Sequence, residues 1–291
     1  MKNEELVEKV TREVLLRLHQ EPQTSQATPG QTEQVCLTCV ACGECVTKRP
    51  EAVAALVDAG AARVSSTVGA APKDGAIASL IDHTLLKPDA PLEDVARLCD
   101  EAIKHGFATV CVQPCHVRFV AERLDKAGAR TKACTVVGFP HGSNRSDVKA
   151  LEARKAIGDG AREIDMVMNV GMLKSGDYRY VESDIRAVVE ACGRGVLTKV
   201  ILETGYLNDE EIIKACALAK AAGVDYVKTS TGFGPRGASV EDIQLMRKVV
   251  GEDVGVKAAG GIRTAEDLRK MVEAGATRIG TSASIKIIGS G

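Results

Sequence analysis

Three lysines stand inside apolar, strand-like runs: Lys199 in TKVILET, Lys228 in YVKTSTG and Lys257 in GVKAAGG. An ammonium group in such a place is costly unless it is paired or deprotonated. One such lysine alone reads as a structural ion pair to a strand carboxylate such as Asp165 or Glu203. Three of them, together with Asp165 in EIDMVMNV, make a set suited to amine chemistry. A like charge nearby and desolvation both weaken a lysine's hold on its proton, and the free amine attacks carbonyls at neutral pH. Lys228 and Lys257, on neighbouring strand-like runs, form such a pair of cations, and the free amine that results is the basis for Schiff-base formation. Asp165 fits two compatible roles, counter-ion to a lysine and proton shuttle for carbinolamine and carbon–carbon bond chemistry.

Two small-residue segments supply a second kind of chemistry. Ala259-Gly260-Gly261 and Gly280-Thr281-Ser282-Ala283-Ser284 each precede an expected helix start. Backbone amides at such helix N-termini bind phosphate, and barrel enzymes often place a phosphate site after their last two strands. His83 and His141 lie near strand ends without metal-ligand spacing to another histidine, and no catalytic role is assigned to them.

These residues need a scaffold that gathers strand ends. From about residue 76 a unit recurs in which a helical stretch ends in a small residue and Gly, and an apolar strand follows: His105-Gly106, Ala127-Gly128, Asp159-Gly160, Ala222-Gly223 and Ala274-Gly275. Counting strands near 80–85, 109–113, 132–139, 163–170, 197–204, 226–229, 255–259 and 278–280 gives eight. The expected fold is α/β, a closed (β/α)8 TIM barrel over residues 76–291, with Lys228 and Lys257 on adjacent strands six and seven. Active sites in such barrels sit where strands end. That rule selects Asp82, Cys111, Asp165, Asn169, Lys199, Glu203, Lys228, Thr229, Ser230 and Lys257, with Gly260, Gly261, Gly280 and Ser282.

Composition narrows the partners. The 291 residues are 45% hydrophobic and 26% charged with a formal charge of −1, so a full core can be buried and no basic excess exists for a nucleic-acid backbone. Aromatics at 3% and no Trp argue against base stacking. No apolar run has membrane-spanning length and no signal peptide is legible, so the ten cysteines read as reduced thiols in a cytoplasmic setting.

Six runs in order, IDHTLLKPDA (81–90), EIDMVMNVGMLKSGD (163–177), KVILETGYL (199–207), YVKTSTGFG (226–234), VKAAGGIRT (256–264) and IGTSAS (279–284), resemble the deoxyribose-phosphate aldolases. The resemblance spans residues 77–285. It implies reversible, metal-free and cofactor-free cleavage of 2-deoxy-D-ribose 5-phosphate to D-glyceraldehyde 3-phosphate and acetaldehyde, in deoxyribose catabolism. It implies Lys228 as Schiff-base lysine, Lys257 as the group that depresses its pKa, and Asp165 as proton donor and acceptor. Gly260, Gly261, Gly280 and Ser282 match phosphate-binding turns, and Thr229 is counted with them as substrate-binding. Asp82, Cys111 and Lys199 match pocket and charge-network positions. Ala258, Ala283 and a C-terminus without the tyrosine tail of several relatives depart from the family pattern, and slower proton exchange is expected. A homodimer is expected. The alternatives are another class I aldolase or transaldolase-like enzyme on a different phosphorylated sugar, or an inactive barrel serving as an assembly scaffold.

The resemblance leaves the N-terminus uncovered. Leu6, Val10, Val14 and Leu18 recur every four residues, so residues 1–20 read as an amphipathic helix with Leu16 off the stripe. Residues 21–75 read as a linker carrying a short helix near 51–59. Such a helix on a linker resembles the encapsulation peptides of bacterial microcompartments, which implies docking on a shell or cargo groove; packing on its own barrel or mediating oligomerisation is the competing expectation. Cys36, Cys39, Cys42 and Cys45 could hold zinc or an iron–sulfur cluster, or remain free redox-sensitive thiols. Cys99, Cys134, Cys192 and Cys216 are expected to be small buried apolar residues.

Overall fold

Strands buried on both faces read as unbroken apolar runs, and this chain's runs form such strands. The structure, a computed structural model, describes residues 2–19 and 77–289. Eight parallel strands close in sequence order: β1 Ile81–Leu85, β2 Thr109–Val112, β3 Lys132–Val137, β4 Glu163–Val167, β5 Leu197–Ile201, β6 Tyr226–Lys228, β7 Gly255–Ala259 and β8 Arg278–Thr281. β1 pairs with β8 through Asp82 and Gly280, closing the ring. The expected (β/α)8 TIM barrel is the observed fold.

Several strands stop earlier than their apolar runs. Met168 and Leu202 lie beyond the last strand residue yet are fully buried, and their amides still donate to Ile201 and Lys228 carbonyls. Hydrophobicity there reports the cover over the top of the barrel rather than the ladder itself. The region after β3 turns sharply at Gly138-Phe139-Pro140, with the Phe139–Pro140 peptide cis.

The helices are α1 Lys2–His19, α2 Leu92–His105, α3 Val117–Lys126, α4 Ser146–Gly158, α5 Val170–Lys174, α6 Tyr178–Cys192, α7 Asp209–Ala222, α8 Val240–Val250, α9 Ala265–Glu273 and α10 Ser284–Gly289. In α2, Val95, Leu98, Cys99 and Ala102 are buried at helical spacing against the sheet. Capping boxes, Asn208 with Glu211 and Thr264 with Asp267, begin α7 and α9.

α1 packs on the barrel's own outer helices, α6 and α7. Val10 and Val14 are buried there, each side chain contributing about 1.5–3 kcal/mol. The Arg17 guanidinium lies 5.7 Å from the Tyr178 ring centroid and the Lys214 ammonium 5.6 Å. Leu16 is 56% exposed, as its position off the stripe requires. The expected linker, the helix near 51–59 and Cys36, Cys39, Cys42 and Cys45 lie outside the described residues.

Candidate active site

Inward-facing residues of β1, β4, β5, β6, β7 and β8 meet inside the barrel as one charged cluster. The Asp165 carboxylate accepts from Lys199 at 2.8 Å on Oδ1, and from Lys228 at 2.8 Å and Lys257 at 2.7 Å on Oδ2. Strand register makes this unavoidable: Asp165 pairs with Lys199 across β4–β5, and Lys228 with Lys257 across β6–β7. Beneath them Asp82 contacts Lys257, and Arg278 bridges Asp82 at 2.8 Å and Glu163 at 3.1 Å. Lys199 also reaches Glu163 at 2.5 Å.

Burial alone would neutralise these groups, but mutual pairing wins. Burial pushes the Asp165 carboxyl up, yet Lys199, Lys228 and Lys257 outweigh it and hold the group well below the carboxylate range. Asp82 is likewise held low against burial by Lys257, Arg278 and Lys199. Lys257 and Lys199 are driven the other way. Burial works against their charge, but Asp165 with Asp82 for Lys257, and Asp165, Cys134 and Glu163 for Lys199, raise both above the usual ammonium range.

The cluster holds four cations, Lys199, Lys228, Lys257 and Arg278, against three carboxylates, Asp82, Glu163 and Asp165. Among the described residues, Lys257, Lys199 and Arg278 each touch two carboxylates or more, whereas Lys228 touches Asp165 alone. Lys228 also lines a cavity of about 310 Å³ at the C-terminal face of the barrel, whose wall does not include the other three.

That cavity is walled by Gly260, Gly261, Gly280 and Ser282, with the cationic side chains Lys87 and Arg263 at its edge. Gly260 and Gly261 have φ of +87° and +82°, and a Cβ on Gly260 would lie 2.9 Å from Gly237 Cα, so only glycine fits the turn. Gly280 is small for another reason: a Cβ there would stand 3.0 Å from Lys257 Cε. After β7 the expected anion site is approached by the glycine turn that precedes α9. The Arg263 and Thr264 amides, just before α9, donate to Asp267 Oδ2 at 3.0 Å, whereas Gly260 and Gly261 line the cavity.

Other expected site residues sit differently. Thr229 does not line the cavity; its hydroxyl donates to the Ala259 carbonyl at 3.0 Å and clasps β6 to β7, while Thr231 takes the lining position. Asp82, Cys111 and Lys199 are fully buried in the network below the cavity rather than in its wall. Asn169 caps α5 by accepting from the Met172 amide. Glu203, in a left-handed conformation at φ 57°, binds Thr231. His83 points out of the barrel, 2.7 Å from Glu101 and 2.8 Å from Ser284.

Sequence reasoning missed Glu163 and Arg278, each two residues before an inward position of its own strand, Asp165 and Gly280; the alternation of period two could have found them. It also set Cys134 aside as a small apolar residue, yet its thiol lies 3.4 Å from Asp165 Oδ1 and accepts from Lys199 at 3.5 Å. Cys111, Cys134 and Asp165, or Asp82, Cys134 and Glu163, come close enough to hold a metal ion. Their carboxylates already serve ammonium or guanidinium groups, which a metal would have to displace.

Comparison with known proteins agrees with this geometry. Residues 76–288 match the model of the DeoC/LacD family aldolases. The chain is 57% identical over 214 residues to a deoxyribose-phosphate aldolase of Caldanaerobacter subterraneus, covering 73% of this chain and 92% of the relative. It is 58% identical over 213 residues to that of Thermococcus gammatolerans, covering 73% and 95%. The tetrameric deoxyribose phosphate aldolase structure from Aeropyrum pernix superposes with a TM-score of 0.69 at 33% identity, covering 81% of this chain and 96% of that one. With its barrel matched from first strand to last helix, the chain belongs to the DeoC/LacD family of aldolases.

Proposed function

We propose that this chain is a class I aldolase that reversibly cleaves 2-deoxy-D-ribose 5-phosphate to D-glyceraldehyde 3-phosphate and acetaldehyde. The observation that carries the reading is Lys228, held on a shared carboxylate and facing a cavity edged by glycine turns and two cationic side chains. The Lys228 amine attacks the aldehyde carbon, and the carbinolamine loses water to a protonated imine. Removal of the proton from the C3 hydroxyl lets the C2–C3 bond break. Its electrons move into the imine as an enamine, which takes a proton at C2 and hydrolyses to acetaldehyde.

Lys228 has the fewest counter-ions of the cluster's lysines and is the amine placed at the cavity, which suits it to the carbonyl attack. Lys257 stays charged beside it. Asp165, bound by three ammonium groups in the free enzyme, becomes a better proton acceptor once Lys228 is neutral, which suits it to the shuttle role. Gly260, Gly261 and Ser282, with Lys87 and Arg263, take the phosphate, and no cofactor is needed for the aldol step. Cleavage of deoxyribose 5-phosphate coupled to alcohol dehydrogenase tests the substrate. NADH consumption with this substrate is expected, and none with it would remove the reading.

Among the described residues no helix is long and apolar enough to cross a membrane. The enzyme is assigned to the cytoplasm as a homodimer, with residues 1–20 as an address to a microcompartment shell or its cargo. For that address Val10 and Val14 must exchange the barrel surface for a partner groove. A reporter carrying residues 1–20 should co-localise with shells, and diffuse reporter would remove the address. Light scattering of the purified chain reads the dimer.

A further inference from the structure

Two thiols lie directly beneath the substrate cavity and play no part in the aldol steps above. Cys111 on β2 and Cys134 on β3 are register partners. Neighbouring strands run about 4.8 Å apart, within the Cα separation of about 4.4–6.8 Å that a disulfide spans. Both sulfurs and an Asp165 carboxylate oxygen lie within 4.8 Å of one another. The neighbouring Cys134 lowers the Cys111 thiol from its ordinary range against its burial. Cys134 is raised by burial and by Cys111, and it keeps its proton, donating to Asp165 Oδ1. The asymmetry is that of an attacking and a resolving thiol. By contrast, burial pushes solitary Cys99 up to about 11 and raises Cys216 further.

Access and consequence are both built in. Cys111 and Cys134 pack in one small cluster with Leu86 and Val136, and Leu86 lines the cavity, so the cluster that holds the pair reaches the cavity wall. Cys134 also touches Asp165 at 3.4 Å and Lys199 at 3.5 Å.

We propose that Cys111 and Cys134 form a peroxide-sensitive dithiol switch that closes to a disulfide and withdraws Cys134 from Asp165. The Cys111 thiolate attacks one peroxide oxygen, the O–O bond breaks, and Cys111 becomes a sulfenic acid as hydroxide leaves. Cys134, losing its proton to hydroxide, attacks the Cys111 sulfur and expels a second hydroxide. Two thiols are oxidised by two electrons, one hydrogen peroxide is reduced, and two waters result. Asp165 Oδ1 is left with Lys199 alone, loosening the carboxylate that holds Lys228 and Lys257.

The activity effect rests on the proposed aldolase function, whereas the linkage does not. The full-length enzyme is treated with hydrogen peroxide, free thiols are alkylated, and digests are examined by mass spectrometry alongside kcat. A Cys111–Cys134 linked peptide, two hydrogens lighter, is expected to form as kcat falls about tenfold, the scale of one lost hydrogen bond to a charged group, and dithiothreitol should reverse both. Cys111→Ala and Cys134→Ala should abolish the linkage. Cys115→Ser, an exposed thiol outside the site, should keep basal activity and full sensitivity. Unlinked Cys111 and Cys134 peptides after treatment, or a linked enzyme with undiminished kcat, would overturn the switch. Borohydride trapping of acetaldehyde on the reduced enzyme runs in parallel, so failure of the aldolase reading appears there and not as a missing disulfide.

Discussion

Lys228 and Lys257 donate to the same oxygen, Oδ2 of Asp165, at 2.8 and 2.7 Å. Two ammonium groups on one carboxylate oxygen cannot both be held cheaply. Lys257 has Asp82 as a second partner and Lys228 has none, so the pair is unequal from the start.

Lys257→Leu removes the charge that sets this inequality and leaves Asp82 short of a partner. Loss of kcat by about 10²–10⁴-fold is expected, the range for a perturbed proton-transfer system. The ascending limb of the pH–rate profile should move to higher pH. Wild-type turnover near pH 7 would exclude the role given to Lys257.

Asp165→Asn leaves three lysines without their common counter-ion in a dry interior. Breaking a buried ion cluster from one side costs about 3–5 kcal/mol, so the urea midpoint should drop sharply with little change in slope. A variant as stable as the parent would mean the lysines find other partners.

Stability should form a plateau with pH. Asp82 and Asp165 have folded carboxyls below their unfolded range, so their contribution is present above about pH 3.9 and is lost as pH falls through the folded values. Lys257 and Lys199 are raised, so theirs is full below about pH 10.4 and fades as pH rises through the folded values. Thermal denaturation across that range checks both edges. A midpoint that already declines between pH 5 and 9 would place the dominant titrating groups elsewhere.

Arg263→Ala at the edge of the cavity should raise KM for deoxyribose 5-phosphate about 10–100-fold, one charge-assisted contact, and leave unphosphorylated deoxyribose nearly untouched. Equal losses on both substrates would assign Arg263 to folding of the turn instead.

The barrel was legible because apolar runs recur eight times, five of them after a helix that ends in Gly, and because a lysine in such a run is conspicuous. Lys228, Lys257 and Asp165 are brought together as expected. Glu163 and Arg278 escaped notice because they lie at the strand starts, one inward layer deeper than the strand ends that were searched. Thr229 bridges β6 to β7 instead of lining the cavity, because a hydroxyl beside the key lysine can equally well bind ligand or join strands, and only register decides. Which face α1 would use was also beyond sequence, since an apolar stripe fits its own barrel as well as a foreign groove.

The central claim is that Lys228 forms the imine. Incubation with acetaldehyde and borohydride, followed by peptide mapping, should place a single ethyl group on Lys228, absent in Lys228→Ala. An adduct on Lys257 or Lys199 instead, or none at all, would contradict it.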